Sequence, residues 1–181
     1  MTAGLRKPAW TPPPVVVARP LADDPSAAIA AWFTRVHDER MAGLPFLNPA
    51  LFVEVLGLRR LHGDWLGGLI TPWSVQLVLL PGGGGLWQDI SAGLRRAVAL
   101  PVGELAFIAD AGEDGLEAYQ YCPLGTSTAG FADQAAARRF LVEALEAVMT
   151  PPAPVAEAPE AVPASTVDRG RRALFGLGGR R

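Results

Sequence analysis

The sequence predicts an α+β fold: one compact domain whose antiparallel sheet of short strands is packed by an N-terminal and a C-terminal helix, with disordered terminal arms. Three observations predict it. Apolar residues recur at helical spacing at the two ends of the central region, within 24–43 and 131–149. Between them they come in strand-length runs cut by Gly and Pro. Outside them, Pro is frequent and periodicity is absent.

Residues 1–24 are rich in Pro and read as a flexible, extended arm. The domain begins at 25. In "DDPSAAIAAWFTRVHDERMAG", Asp24 is placed to cap a helix and Pro25 suits its first position. Ile29, Trp32, Phe33 and Val36 make its apolar stripe, and Gly43 and Pro45 end it. "LFVEVLGLRRL" (51–61) and "WLGGLIT" (65–71) read as a hairpin turning at His62-Gly63-Asp64. After Pro72, "WSVQLVLL" alternates, which predicts Trp73, Val75, Leu77 and Leu79 on one face. Residues 87–97 fit two patterns: a helical stripe of Trp87, Ile90, Leu94 and Ala97, or a strand "LRRAVAL" ending at Pro101. "GELAFIAD" (103–110) and "LEAYQYCPL" (116–124) predict paired strands around an acidic turn. "FADQAAARRFLVEALEAVM" predicts the second helix, capped by Asp133, with Ala137, Phe140, Leu141, Ala144 and Val148 buried. The domain ends at 149; residues 150–181 are a Pro/Ala linker and a basic tail.

No charged side chain occurs from 65 to 88. A bilayer helix needs about 20 continuous apolar residues, and here a turn, Pro72, Ser74, Gln76 and several glycines divide the run. No stable membrane insertion is expected. Gly82 to Gly85 lack the Lys and Ser/Thr that complete a phosphate-binding loop, since Leu86-Trp87-Gln88-Asp89 follows. The net charge of −2 provides no basic field for nucleic acid. Cys122 is the single cysteine, and His37 and His62 lack metal-ligand spacing. Neither His has an evident orienting partner, so no catalytic residue and no cofactor is expected. Cys122 reads as a small core residue. The first residues lack an apolar core of signal-peptide length, which points to the cytoplasm.

The segments "RMAGLPFLNPALFVEVLGLRR" (40–60), "GDWLGGLITPWSVQLVLLPGG" (63–83), "LPVGELAF" (100–107), "YQYCPL" (119–124) and "FADQAAAR" (131–138) occur in this order. Together they resemble the HybE/HupJ family of [NiFe]-hydrogenase assembly chaperones over about 25–149. The resemblance implies a cytoplasmic, non-catalytic accessory protein. Its partners would be the hydrogenase small-subunit precursor with its twin-arginine signal peptide, and also the large subunit. Some relatives carry a rubredoxin-like module with four cysteines, which Cys122 alone cannot supply.

Holding such a signal peptide requires an apolar groove or an open sheet edge, and carboxylates for the arginine pair. The uncharged hairpin offers Trp65, Leu66, Leu69, Ile70 and Trp73 beside the glycine loop. Glu54, Glu104 and the turn acids Asp110, Glu113, Asp114 and Glu117 are candidate carboxylates. Gly67 and Gly68 suit either a guarded strand edge or close approach of a peptide backbone. In the tail, "GRRALFG" (170–176) is similar to the twin-arginine consensus, with Gly170 where Ser/Thr is usual and Leu174-Phe175 reversing the common order. Arg171, Arg172, Leu174 and Phe175 are therefore pseudo-substrate candidates. Two other classes remain open: a small redox or cluster-assembly accessory protein, and an adaptor whose basic tail contacts lipid or nucleic acid.

Overall fold

A computed structural model describes residues 11–113 and 115–151. A six-stranded antiparallel sheet carries one helix on each face. In chain order these are α1 (Ser26–Val36), a single π turn (His37–Met41), β1 (Glu54–Leu61), β2 (Asp64–Ile70), β3 (Val75–Leu80), β4 (Arg95–Leu100), β5 (Gly103–Asp110), β6 (Tyr119–Pro123) and α2 (Gln134–Val148). The strand order is β1-β2-β3-β6-β5-β4. Two three-stranded meanders thus join at β3 and β6, where Leu77 faces Cys122 in register. Among the described residues, no helix is long and apolar enough to cross a membrane.

Each face of the sheet buries its own core. Ile29 and Phe33 of α1 pack on Trp65, Leu69, Val78 and Leu80. Ala137, Leu141 and Leu145 of α2 pack on Leu66, Ile70, Val75, Leu77 and Leu79. Because β2 and β3 are covered on both sides, every residue of both strands is buried. That geometry accounts for the absence of charge from 65 to 70 and from 75 to 80: an unpaired charge on either face would be stranded away from water. Gly67 and Gly68 lie on an internal strand, so they neither guard an edge nor receive a peptide.

Helix α1 starts one residue later than its sequence pattern suggests. Pro25 occupies the N-cap position, and the Asp24 carboxylate accepts the Ser26 N–H at 2.8 Å from one residue further out. Asp133 caps α2 as expected, accepting the Ala136 N–H at 2.7 Å. The ambiguous 87–97 segment resolves into loop and strand: Arg95–Leu100 pairs with β5 across the two-residue connection Pro101-Val102. The predicted pairing of 103–110 with 116–124 is present as β5 with β6.

Two facial assignments differ from expectation. Trp73 packs with the α1-side core, whereas Val75, Leu77 and Leu79 face α2. The cause is a turn at 71–74, in which Thr71 N–H donates to the Ser74 carbonyl at 2.8 Å; alternation starts afresh after it. Phe140 is 37% exposed and Ala144 only half-buried, while Leu145 is buried instead. A helix lying on a sheet buries a narrow strip, and Phe140 is one 100° step away from Leu141, off that strip.

The described part of the N-terminal arm, 11–24, has neither helix nor strand, yet it is tied to the domain rather than loose. Leu21 N–H donates to the Pro81 carbonyl at 2.9 Å, and Ala18 N–H donates to Asp89 at 3.0 Å. Arg60 donates to the carbonyls of Leu21 and Ala22 at 2.9 and 2.8 Å.

Candidate functional site

The hairpin region that sequence reasoning favours is structural. Leu69 and Ile70 are 0% exposed, and Leu66 is buried with them, so none presents a surface to a partner. Trp65 lies under the arm: its indole N–H donates to the Leu21 carbonyl at 3.0 Å, and the Arg60 guanidinium stacks 4.5 Å above its ring. A central strand cannot be told from an edge strand by composition, because pairing is set by distant segments.

The glycine loop after β3 does cradle an anion, but the anion is the chain's own. Asp64, 0% exposed, accepts backbone N–H groups from Gly82 and Gly84 on one oxygen, and from Leu86 and Trp87 on the other, at 2.7–3.0 Å. Burial alone would raise the Asp64 pKa, but the four donors outweigh it and hold the carboxyl below the ordinary value of 3.8. A side chain at Gly82 or Gly84 would place Cβ 2.2 or 2.1 Å from the carbonyl oxygens of Gly63 or His62. The loop is therefore locked onto the β1–β2 turn.

The two principal candidate carboxylates do not converge. Glu54 on β1 accepts from Arg138 at 2.7 Å and from Gln134 at 2.6 Å. Burial opposes its ionisation, yet Arg138 and Gln134 hold its pKa below the usual carboxylate range. Glu104 is exposed on β5, paired in register with Ala99 of the edge strand β4. Four inter-strand spacings separate β1 from β5, roughly 19 Å, too far for one arginine pair to reach both. Of the turn acids, Glu113 is engaged by Arg40 at 2.7 and 3.1 Å. Asp114 and the tail candidates Arg171, Arg172, Leu174 and Phe175 lie outside the described residues.

An accessible apolar feature lies elsewhere, beside the loop "AGLPFLNPALFV" (42–53). A groove of about 430 Å³ is lined by His37, Leu44, Leu47, Asn48, Leu51 and Pro72, among others. Leu44 is 38% exposed, and Phe46, on the same loop, is 58% exposed. Of the sequence-derived candidates, Trp73 stands next to it: its ring is stacked on His37, with an interplanar angle of 2° and 6.3 Å between centroids. The Asp38 carboxylate lies 2.8 Å from His37 Nδ1, and its side chain is 65% exposed. An apolar trough with an accessible carboxylate next to one of its lining residues can receive an apolar segment that carries positive charge.

The groove is preformed. The Pro72 carbonyl accepts from Asn48 N–H and from the buried Thr128 hydroxyl, both at 2.8 Å. Asn48 Nδ2 donates to the carbonyls of Thr128 and Phe131 at 2.9 and 2.8 Å. Phe52 N–H donates to Gln134 Oε1 at 3.0 Å, which ties the loop to the start of α2. The sequence carries a signal for this surface that its hairpin pattern overshadows. Pro45 and Pro49 forbid regular structure in 44–52, yet the segment is as apolar as a core strand.

Cys122 is half-buried on β6, and burial raises its thiol pKa above the ordinary 9.0. At pH 7.4 it should therefore alkylate with iodoacetamide more slowly than free N-acetylcysteine; an equal or faster rate would show an activated thiol. Among the described residues, no three His, Cys, Asp or Glu side chains gather as a metal-binding set.

Comparison with known proteins places this geometry in a family. The family model described as [NiFe]-hydrogenase assembly, chaperone, HybE matches residues 24–177. Over 161 residues the chain is 37% identical to the hydrogenase expression/formation protein HupT of Azotobacter chroococcum mcd 1, covering 84% of this chain and 95% of that one. It is 29% identical over 121 residues to the probable rubredoxin HupJ of Rhodobacter capsulatus, covering 67% of this chain but 43% of that one. The solution structure of HybE from Escherichia coli matches with a TM-score of 0.59 at 28% identity, over 91% of this chain and 94% of that one. With the family model spanning both helices and the whole sheet, the chain belongs to the HybE family of [NiFe]-hydrogenase assembly chaperones.

Proposed function

We propose that the protein is a cytoplasmic, non-catalytic chaperone that holds the precursor of a hydrogenase small subunit by its twin-arginine signal peptide. The apolar part of the peptide lies in the groove beside 42–53, against Leu44, Phe46 and Leu47. Its arginine pair meets the carboxylate of Asp38. The observation that carries this reading is the exposure of Leu44 and Phe46 on a loop held rigid by Asn48, Thr128 and Gln134. A preformed apolar site spends little binding free energy on ordering itself. The exposed Val142, on the flank of α2 beside Leu56 and Gly57, is a surface outside the groove that is available to the large subunit, the second client the family implies.

The test is titration calorimetry of the full chain with a synthetic small-subunit signal peptide. Phe46→Ser should weaken binding about 30-fold, the loss of about 2 kcal/mol expected for an aromatic anchor. Its melting temperature should stay within about 2 °C of the parent, because an exposed side chain contributes little to stability. Unchanged affinity in both Phe46→Ser and Leu44→Ser would reject the groove as the binding site. Large-subunit capture should survive either substitution.

A further inference from the structure

The groove and the tail are complementary in chemistry. The groove is apolar, and the accessible Asp38 carboxylate lies 2.8 Å from Nδ1 of His37, one of its lining residues. Arg40, on the same π turn, is bound to Glu113 at 2.7 and 3.1 Å. The tail segment "GRRALFG" (170–176) carries two adjacent arginines and then a short apolar run, which match a carboxylate and an apolar trough. This segment lies outside the described residues, and its attachment point is given by α2.

The tether is long enough. Helix α2 spans 15 residues, about 22 Å. Its N-terminal end adjoins the groove through Phe52–Gln134 and Asn48–Phe131, and its C-terminal end, at Val148, emits the tail. Between Pro151 and Gly170 run about twenty residues, and a chain of that length can reach at most roughly 65–70 Å, well beyond the length of the helix.

We infer that segment 170–176 of this chain occupies the groove in the free protein and is displaced by a client, so that the chaperone guards its own apolar surface. This rests on the reading of the groove as a signal-peptide site. A tethered segment is present at a local concentration of order 1 mM. If its own dissociation constant is about 0.1 mM, it weakens client affinity about 10-fold. Covering Leu44 and Phe46 would also remove from solvent an apolar patch that invites association.

The experiment compares the full chain with a full-length variant carrying Arg171→Glu, Arg172→Glu, Leu174→Ser and Phe175→Ser. Two readouts are taken: methyl chemical shifts of Leu44 and Leu47 without ligand, and the affinity of the synthetic signal peptide. Displacement predicts shifted methyls at the groove and peptide binding about 10-fold tighter in the variant. Unchanged methyls overturn the tail's occupancy, as does a change confined to residues away from the groove. If the methyls stay put while peptide binding depends on Phe46, the tail inference fails and the signal-peptide reading stands. If the methyls shift but the peptide ignores both Phe46 and the tail, the tail occupies the groove and the signal-peptide reading fails.

Discussion

Asp64→Ala should lower the stability of the domain by about 3–5 kcal/mol. It strips the acceptor from four backbone N–H groups at once, those of Gly82, Gly84, Leu86 and Trp87. A fully buried donor left unmatched costs about 1–3 kcal/mol, and these four are only partly buried, with Gly84 exposed, so access to water keeps the total below the sum. With a urea m-value of about 2 kcal/mol/M, the unfolding midpoint should fall by about 2 M. Asp64→Asn should do nearly as badly, since a carboxamide offers one acceptor oxygen and turns its NH₂ toward donors. The pH dependence follows from the sign of the shift. The folded-state pKa lies below the ordinary 3.8, so the stabilisation is complete above about pH 4. It is lost as pH falls through the depressed folded value. Asp24, Glu54 and Glu113 are depressed as well, so the acid slope of Asp64→Asn should be shallower than the parent's but not flat. Midpoints at pH 7 and pH 3 check both points; an Asp64→Ala midpoint within about 0.3 M of the parent would contradict the cradle.

Asp64 also shows where sequence reasoning reaches and where it stops. Helices α1 and α2 are legible because amphipathic spacing and a local cap are properties of contiguous residues: Ile29 and Phe33, or Asp133 with Ala136. The β1–β2 turn is legible for the same reason, with His62 and Gly63 both at positive φ in a two-residue connection. Pairings that cross the chain are not. Nothing near residue 64 says that its carboxylate will be wrapped by 82–87, and without that knowledge the glycines read as a slack surface loop. The same blindness makes buried residues read as an exposed surface. Leu69 and Ile70 look sticky in sequence, but β3 and both helices cover them. Leu44 and Phe46 look unremarkable in a Pro-broken loop, but nothing in the fold covers them to the same degree. Fold class survives such errors because it depends on the kinds of element. A binding surface depends on what remains after they pack.

Gly68→Ala should cost about 2–3 kcal/mol, and the cost should be largely relieved by shortening one distant side chain. A Cβ at Gly68 would lie 2.6 Å from Cγ, Cδ1 and Cδ2 of Leu141, so nearly the whole side chain is in the way. Leu141 is fully buried and has nowhere to turn, so α2 must lift from the sheet. Leu141→Ala alone leaves a cavity and should cost about 2–5 kcal/mol. The double variant should be less destabilised than the sum of the two by at least about 1 kcal/mol, because the added methyl enters the space vacated. Simple additivity in urea unfolding would show that the contact is not the source of the cost. The consequence extends to the groove, since α2 and the 42–53 loop are joined by the Phe52–Gln134 hydrogen bond. Lifting the helix should therefore loosen the loop, and Gly68→Ala should weaken peptide binding without touching the peptide. Phe46→Ser should weaken binding at constant stability, whereas Gly68→Ala should lower both together. The addition of Leu141→Ala should recover part of each. Coupled recovery of that kind would identify α2 as the support that keeps the groove open for a client.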